Sequence, residues 1–293
     1  MALWSKKHSK QSIRAKNTFG LACWRIGQLK KALKTFESII QAYTPDLHPT
    51  VLSQAVNNAG LINLELGEYT QARSQFKQSL TINGVAIDFD KATADEIVEA
   101  LSHKDVLKNV AATLNNLALA YDKLGEPERA EILWLAYIEL SKNVTNRATV
   151  AKAKNNLGMH YLRKGAYEPA QQFLESAEQV FAETTQSRWL SLAHHNLGTL
   201  YDELGLTDLA EIYFKKALHL RDSDNHPKGH MASLNQLASV YRKQHKLQNS
   251  LRLSEELLVL AEKHNNIQYK ALSHLNQYAI YQQQRDLTRA GQH

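Results

Sequence analysis

Carboxamide side chains recur at two adjacent positions along most of this 293-residue chain. The columns hold Asn58, Asn116, Asn156, Asn196, Gln236 and Asn276, and, at the preceding position, Asn17, Asn57, Asn115, Asn155, His195 and Asn235. Asparagine forms helices less well than glutamate or lysine. A helix surface that only had to contact solvent would therefore carry charged residues instead. A carboxamide offers both a hydrogen-bond donor and an acceptor. The columns therefore predict binding to the amides and carbonyls of a peptide backbone.

A second interpretation of the same columns is architectural. The asparagines would then bond to one another and to the backbone of turns between repeats. The two interpretations are compatible, because one carboxamide can make both kinds of hydrogen bond.

Basic residues beside the carboxamides indicate a further chemistry, the binding of carboxylates. Lys123, Lys152 and Arg163 are expected to cluster near Asn116 and Asn156, and such a cluster can hold an acidic side chain or a C-terminal carboxylate. The residues expected to contact a bound peptide or protein are Asn57, Asn58, Asn115, Asn116, Lys123, Lys152, Asn155, Asn156, Arg163, His195, Asn196, Asn235, Gln236 and Arg242.

Motifs of catalysis and metal binding are not found in the sequence. There is no phosphate-binding glycine loop, no His-Glu-x-x-His and no nucleophile elbow. The thirteen histidines are scattered, and the closest groupings are His194 with His195 and His226 with His230. Pro227 and Gly229 interrupt the second grouping. We therefore expect a protein that is not an enzyme and that needs no cofactor or metal.

The elements that must position these residues follow from a repeat. Ala118, Gly158, Gly198 and Ala238 succeed one another at intervals of forty residues, and Tyr278 continues the series. A fixed period of this length is typical of stacked helical repeats. Gly60 belongs to the same column but precedes Ala118 by fifty-eight residues, which leaves eighteen extra residues within 81–108.

A helical wheel of residues 111–124 separates a core side from a polar side. Small residues in the column of Gly198 allow a partner helix to approach closely, and tyrosines such as Tyr201 fill the space beside it. Large residues of the second helices are expected to pack between neighbours; they are Phe36, Phe76, Trp134 and Phe214. The carboxamides fall on the opposite side of the wheel.

These residues resemble the tetratricopeptide repeat, with Leu-Gly/Ala-x-x-Tyr in one helix and Ala-x-x-x-Phe in the next. The forty-residue period is similar to that of kinesin light chains and of Rap-type peptide receptors. The resemblance implies an all-α, right-handed superhelical solenoid of antiparallel helix pairs, in which first helices line a concave groove. One domain, 1–293, would hold repeats at about 13–52, 53–82, 111–150, 151–190, 191–230, 231–270 and, in part, 271–293.

The insertion at about 83–104 is the one departure from the period. Thr93 to Glu96 could cap a short helix that runs to about His103, or Asp105 onward could lengthen the next helix backwards. Insertions in repeat arrays often lie on a binding face, and a tolerated surface loop is the alternative.

Charge and composition indicate the partners and the cellular compartment to be expected. The formal net charge is +6, but residues 1–50 carry a net +7 and the rest a net −1. The basic first repeat is either a solvated cap or a dock for an acidic partner, with nucleic acid the less favoured one. The single Cys23 fits a reducing compartment. Without a signal peptide or an apolar run of about 20 residues, a cytoplasmic protein without membrane contact is expected.

The leading functional hypothesis is a scaffold or adaptor that holds a partner segment in the concave groove through the asparagines. One alternative is a cytoplasmic regulatory receptor for a short signalling peptide, although residues 1–50 leave no room for the extra N-terminal domain of such receptors. Another is an assembly or nucleic-acid-associated factor that uses the basic first repeat. Self-association through an exposed apolar flank of the last helix is also possible.

Overall fold

The computed structural model describes the backbone of residues 2–42, 49–102, 104–141, 147–221 and 226–290, and the side chains of these ranges except 2–11, 104–109 and 286–290. Within these ranges the chain forms fourteen α-helices and no β-strand, so the predicted all-α class is confirmed. The helices are α1 (Ala2–Arg25), α2 (Leu29–Gln41), α3 (Pro49–Leu66), α4 (Tyr69–Ile82), α5 (Ala94–Leu101), α6 (Lys104–Lys123), α7 (Pro127–Leu140), α8 (Arg147–Arg163), α9 (Tyr167–Glu183), α10 (Ser187–Glu203), α11 (Thr207–His219), α12 (Pro227–Lys243), α13 (Leu247–Lys263) and α14 (Ile267–Ala290).

Two compact units make up the chain, Met1–Ala153 and Lys154–His293, with the boundary inside α8. In the first unit the pairs are α1 with α2, α3 with α4 and α6 with α7. In the second unit α10 pairs with α11 and α12 with α13, while α14 packs against α12 and α13. The predicted limits of the single repeat domain stay a prediction.

Tight turns join the helices of each pair. Gly205 adopts a φ of 73° after α10, and the amide of Leu206 donates to the carbonyl of Tyr201 at 2.8 Å. A left-handed residue at this place is the usual helix C-terminal arrangement, and glycine adopts it without strain. The turn after α12 uses His245 instead, at a φ of 58°.

The predicted core columns are confirmed. Phe36, Phe76, Trp134 and Phe214 are completely buried. Gly198 lies so close to Phe214 that an added Cβ would stand 2.8 Å from the ring. The fit explains why the column must hold small residues, because a close-packed interior has no spare volume.

The helices at the two ends of the described chain are long. The backbone of α1 is helical from Ala2, and α14 extends to Ala290. Pro49 begins α3. Proline is well tolerated there, since the first turn of a helix needs no amide donor.

The insertion forms a docked helix. α5 begins at Thr93, whose side chain and that of Glu96 form a reciprocal capping box, as one of the two interpretations predicts. α5 packs mainly on α7. Arg129 of α7 donates to the carbonyl oxygens of Phe89 and Ala92, at 2.7 and 3.0 Å. The inserted residues therefore cover a second helix of the first unit.

Candidate protein-binding site on the first helices

The helices that carry the predicted carboxamide columns are called first helices here: α1, α3, α6, α8, α10, α12 and α14. In the second unit α12 lies between α10 and α14 and contacts both. The carboxamides of successive first helices are therefore close enough to meet.

In the first unit the carboxamides bond to one another between successive repeats. Asn58 Nδ2 donates to Asn17 Oδ1 at 3.4 Å, and Asn116 Nδ2 donates to Asn57 Oδ1 at 3.1 Å. All four side chains are half-buried. Asn115 accepts a hydrogen bond from Trp134 Nε1 at 3.1 Å, so it also helps to seat a core residue.

The second unit repeats the arrangement. Asn196 Nδ2 donates to Asn155 Oδ1 at 2.9 Å, and Asn276 Nδ2 donates to Asn235 Oδ1 at 3.0 Å. The residues of the first pair are only 5% and 2% exposed. Asn155 and Asn196 are therefore buried, and their predicted contact with a bound peptide stays a prediction. Asn235, Asn276 and also Asn156 are half-buried.

Each pair leaves hydrogen-bonding capacity unused. In each pair, one carboxamide uses one of its two N–H groups as donor, and the other uses one of the two lone pairs on its oxygen as acceptor. A half-buried pair such as Asn235 with Asn276 therefore still has N–H donors and oxygen lone pairs that no described residue uses. This set of groups matches what a peptide unit of a bound chain would need.

The series of carboxamide pairs is interrupted at His195, where a histidine takes the place of an asparagine. Its Nδ1 lies 3.0 Å from Ser233 Oγ, which also accepts a hydrogen bond from Arg221 at 2.8 Å. Burial and the nearby charge of Arg221 lower the pKa of His195 to about 3. The ring is therefore neutral at physiological pH, and it packs edge-on against Phe214.

The histidine at position 195 also changes the hydrogen bonding of Gln236. By the pattern of the other repeats it would bond to the residue at position 195. Instead, its side chain makes no hydrogen bond with any residue that the structure describes, and it is half-buried on α12. Its carboxamide is available to a partner.

The basic residues of the predicted site are distributed over both units. Lys123 is exposed and Lys152 half-buried in the first unit, whereas Arg163 is exposed in the second. A cluster of these three residues stays a prediction. Arg242 is half-buried on α12.

Sequence reasoning missed two polar residues of the second unit that share the side of the predicted ones. Ser239 lies three residues from both Gln236 and Arg242 on α12, and Thr199 holds the same place on α10. Helical spacing of three residues would have found both, since such residues lie on one face.

The basic first repeat is solvent-exposed where it is described. Its exposed cations are Arg14, Lys16, Arg25, Lys30, Lys31 and Lys34. Lys31 Nζ lies 5.2 Å from the centre of the Phe19 ring. This arrangement fits either interpretation of the basic end.

Among the described residues there is no group of three or more His, Cys, Asp or Glu side chains placed to hold a metal ion. None of the described helices is long and apolar enough to cross a membrane. Cys23 is buried.

Models of the tetratricopeptide repeat match residues 53–85, 110–146, 149–223 and 230–268. Together these matches cover more than half of the chain. The chain belongs to the tetratricopeptide repeat family. The repeats found by the models coincide with the helix pairs, and the insertion falls between two of them. No curated protein matches the chain.

Solved structures with the same fold include BtubC (BKLC) from P. vanneervenii, at a TM-score of 0.59 and 18% identity over 83% of this chain and 91% of that one. The apo form of RapI matches with a TM-score of 0.55 and 15% identity over 95% of this chain and 99% of that one. A putative kinesin light chain of Podosopora anserina has a TM-score of 0.54 and 18% identity over 75% and 98%. These similarities confirm the predicted all-α solenoid class of tetratricopeptide type.

Proposed function

We propose that this tetratricopeptide repeat protein is a scaffold that holds an extended segment of another protein against its first helices. The family supports a role in protein–protein interaction in general. The observation that supports binding of an extended segment is the set of half-buried carboxamide pairs, whose remaining donors and acceptors no described residue uses. Asn57 with Asn116 represents the first unit, and Asn235 with Asn276 the second.

Pairing also prepares these side chains for binding. A carboxamide that is already held by its neighbour loses little rotamer freedom when a ligand arrives, so less entropy is lost on association. The free N–H and oxygen groups then bond to successive peptide units of the partner. Affinity comes from the main chain, and the side chains around the carboxamides select among partners.

Peptide arrays test this function. Wild-type protein is applied to arrayed synthetic decapeptides of varied sequence, and each bound peptide is then remade with N-methylated backbone amides. We expect wild type to bind a subset and to lose it on N-methylation. The variants Asn235→Ala and Asn276→Ala should weaken binding about tenfold or more, as expected for the loss of hydrogen bonds to a desolvated partner.

The matched control is Asn249→Ala, which changes an exposed asparagine of the second helix α13. It should bind like wild type. Thermal melts establish that all variants are folded. Peptide binding that survives in the folded Asn235 and Asn276 variants, or that ignores N-methylation, would refute the proposal.

A second proposed contact is the self-association of two copies through α14. Ile267, Leu275, Tyr278 and Tyr281 are exposed on one side of this helix, and Tyr278 occupies the column that holds Gly198 and its equivalents. Leu275 and Tyr278 are 62% and 63% exposed. An apolar face of this kind marks an interaction surface, and residues near its middle meet their own copies across a two-fold axis.

Sedimentation equilibrium tests the self-association. Wild type should show a monomer–dimer equilibrium, and the double variant Leu275→Ser/Tyr278→Ser should be monomeric at the same concentration. Monomeric wild type at the highest soluble concentration would exclude this contact. The peptide-binding proposal does not depend on the result.

A further inference from the structure

Arg242 is a half-buried cation that pairs with no residue in the described part of the chain. Its Nε is shielded from solvent and makes no hydrogen bond within the part of the chain that the structure describes, and its other guanidinium nitrogens make none there either. Withdrawing a charged group from water is costly unless it gains a hydrogen-bonding partner. A residue of this kind on the proposed binding side is suited to receive a group from outside the chain.

Acidic groups of the neighbouring helices α10 and α11 are paired with lysines. Asp202 of α10 pairs with Lys243 at 2.7 Å, and Glu211 of α11 pairs with Lys215 at 2.6 Å and with Lys246 at 2.9 Å. Although burial acts to raise it, hydrogen bonds from Lys215 and Lys246 bring the pKa of Glu211 to about 2. Neither carboxylate pairs with Arg242, whose charge no described acid matches.

Arg242 ends a polar stripe formed by Gln236, Ser239 and Arg242 along α12. The three residues follow one another at intervals of three, so each is turned by about 60° from the one before and the stripe runs obliquely over about 120° of the helix surface. Neither Gln236 nor Ser239 makes a side-chain hydrogen bond with any described residue. At about 1.5 Å per residue the stripe extends roughly 9 Å, the length of about three residues of extended chain.

We infer that this stripe binds a carboxylate-bearing stretch of the partner segment, with the guanidinium of Arg242 on the carboxylate and the carboxamide of Gln236 on the main chain two or three residues away. The inference rests on the proposed function and adds the chemistry of one subsite. A guanidinium suits this role because its parallel N–H groups match the two oxygens of a carboxylate.

A carboxylate fits the stripe better than a phosphate group does. Asp202 of the neighbouring helix α10 contacts Lys243, the residue after Arg242, and a carboxylate at this place opposes a dianionic ligand more strongly than a monoanionic one. Among the described residues Arg242 has no acidic partner, whereas the adjacent Lys243 pairs with Asp202. A single monoanion balances that charge.

Binding to matched synthetic peptides tests this inference. Octapeptides with blocked ends are arrayed in pairs that differ only by Glu or Gln at one position, and a third set carries a free C-terminal carboxylate instead. A fourth set carries phosphoserine at the same position. We expect wild type to prefer carboxylates over Gln about tenfold, and the comparison of the Glu and C-terminal sets shows which source of carboxylate it uses.

The variant Arg242→Gln should retain the Gln peptides and lose the preference, and added salt should weaken the binding of Glu peptides by wild type but not by the variant. The control Arg252→Gln, on an exposed arginine of α13, should behave like wild type. Thermal melts verify that both variants are folded.

Three results would overturn the inference: an undiminished preference in Arg242→Gln, a wild type that binds Glu and Gln peptides equally, or tighter binding of the phosphoserine set. In each of these the proposed scaffold function survives, because peptides are still bound. A wild type that binds no peptide of any set refutes both.

Discussion

At the scale of single residues, close packing of glycine against aromatic rings sets the spacing within helix pairs. An added Cβ at Gly198 would stand 2.8 Å from two carbons of Phe214, and at Gly60 it would stand 2.6 Å from Phe76. Real side chains do not approach so closely, so the ring or the helix would have to move. These positions are therefore sensitive to a single methyl group.

We predict that Gly198→Ala destabilises the protein by about 1–3 kcal/mol through overpacking. The loss outweighs the gain of up to about 1 kcal/mol that alanine brings to a helix. Urea unfolding measures the change. In a Phe214→Leu background the ring is gone and the cost of Gly198→Ala should be smaller; equal costs in the two backgrounds would contradict the packing explanation.

A partly buried hydrogen bond between two titratable groups joins α9 to α10. His194 Nε2 lies 3.0 Å from Glu178 Oε1, and the ring of Tyr213 stands edge-on to the histidine. The hydrogen bond from His194 lowers the pKa of Glu178 below its ordinary value of 4.5, against the effect of burial and with help from the charges of His194 and Lys216. A depressed carboxyl pKa means that folding favours the ionised form.

Glu178→Gln should therefore cost stability in a pH-dependent way. The stabilisation by Glu178 is complete above its unfolded pKa and is lost as the pH falls through the lower folded value. We expect the variant to be about 1–3 kcal/mol less stable than wild type at pH 6, and the difference to shrink as the pH falls below about 4.5. Urea unfolding at several pH values measures it.

The control for this pH series is Glu168→Gln, since Glu168 is an exposed carboxylate of the same helix. Its stability should follow that of wild type throughout the series. A constant difference between wild type and Glu178→Gln at every pH would show that the ionised carboxylate is not the source of the stabilisation.

At the scale of elements, the inserted helix α5 depends on a small number of anchoring groups. Arg129 bonds to two carbonyl oxygens of the segment before α5, and Asp90 accepts hydrogen bonds from Tyr121 and Lys77, both at 2.5 Å. These hydrogen bonds hold the pKa of Asp90 below its usual range. Val85, Phe89, Ile97 and Leu101 add a buried apolar contact.

Arg129→Met keeps much of the side-chain volume but removes both hydrogen bonds to the inserted segment. The carbonyl groups of Phe89 and Ala92 then lose their partner, at about 1–3 kcal/mol for each group that stays buried. Hydrogen exchange should show faster exchange in residues 85–101, with α3 and α4 unaffected. Unchanged protection of 85–101 would mean that the apolar contacts alone hold the insertion.

At the scale of the whole molecule, the chain is a series of helix pairs grouped into two compact units. In repeat proteins each repeat is stabilised by its neighbours, so stability is distributed along the chain. A local defect is expected to weaken nearby repeats more than distant ones.

The two glycine variants allow a test of this expectation. Gly60→Ala should accelerate hydrogen exchange chiefly in the first unit, and Gly198→Ala chiefly in the second, because each strains a helix pair of its own unit. Mass spectrometry of peptic fragments resolves the two. Uniform acceleration over both units by either variant would show that the chain opens as one cooperative body.

The sequence by itself determined the helix pairs and the core columns, and it offered a capped helix in the insertion as one of two interpretations. These features depend on local periodicity and on residue type at a fixed spacing, as where Gly198 must face a large residue. The repeated motif of Leu-Gly/Ala-x-x-Tyr and Ala-x-x-x-Phe also identified the family, since each copy repeats the same contacts.

Only the tertiary structure decided which carboxamides are engaged. Asn155 and Asn196 carry the same sequence signal as Asn235 and Asn276, yet the first pair is buried and the second is half-buried. The tertiary structure also decided that His195 bonds to Ser233, which frees Gln236, and that the acids near Arg242 pair with lysines. The burial and the hydrogen-bond partner of a side chain depend on which side chains of neighbouring helices pack beside it. A periodic pattern along the sequence does not contain that information.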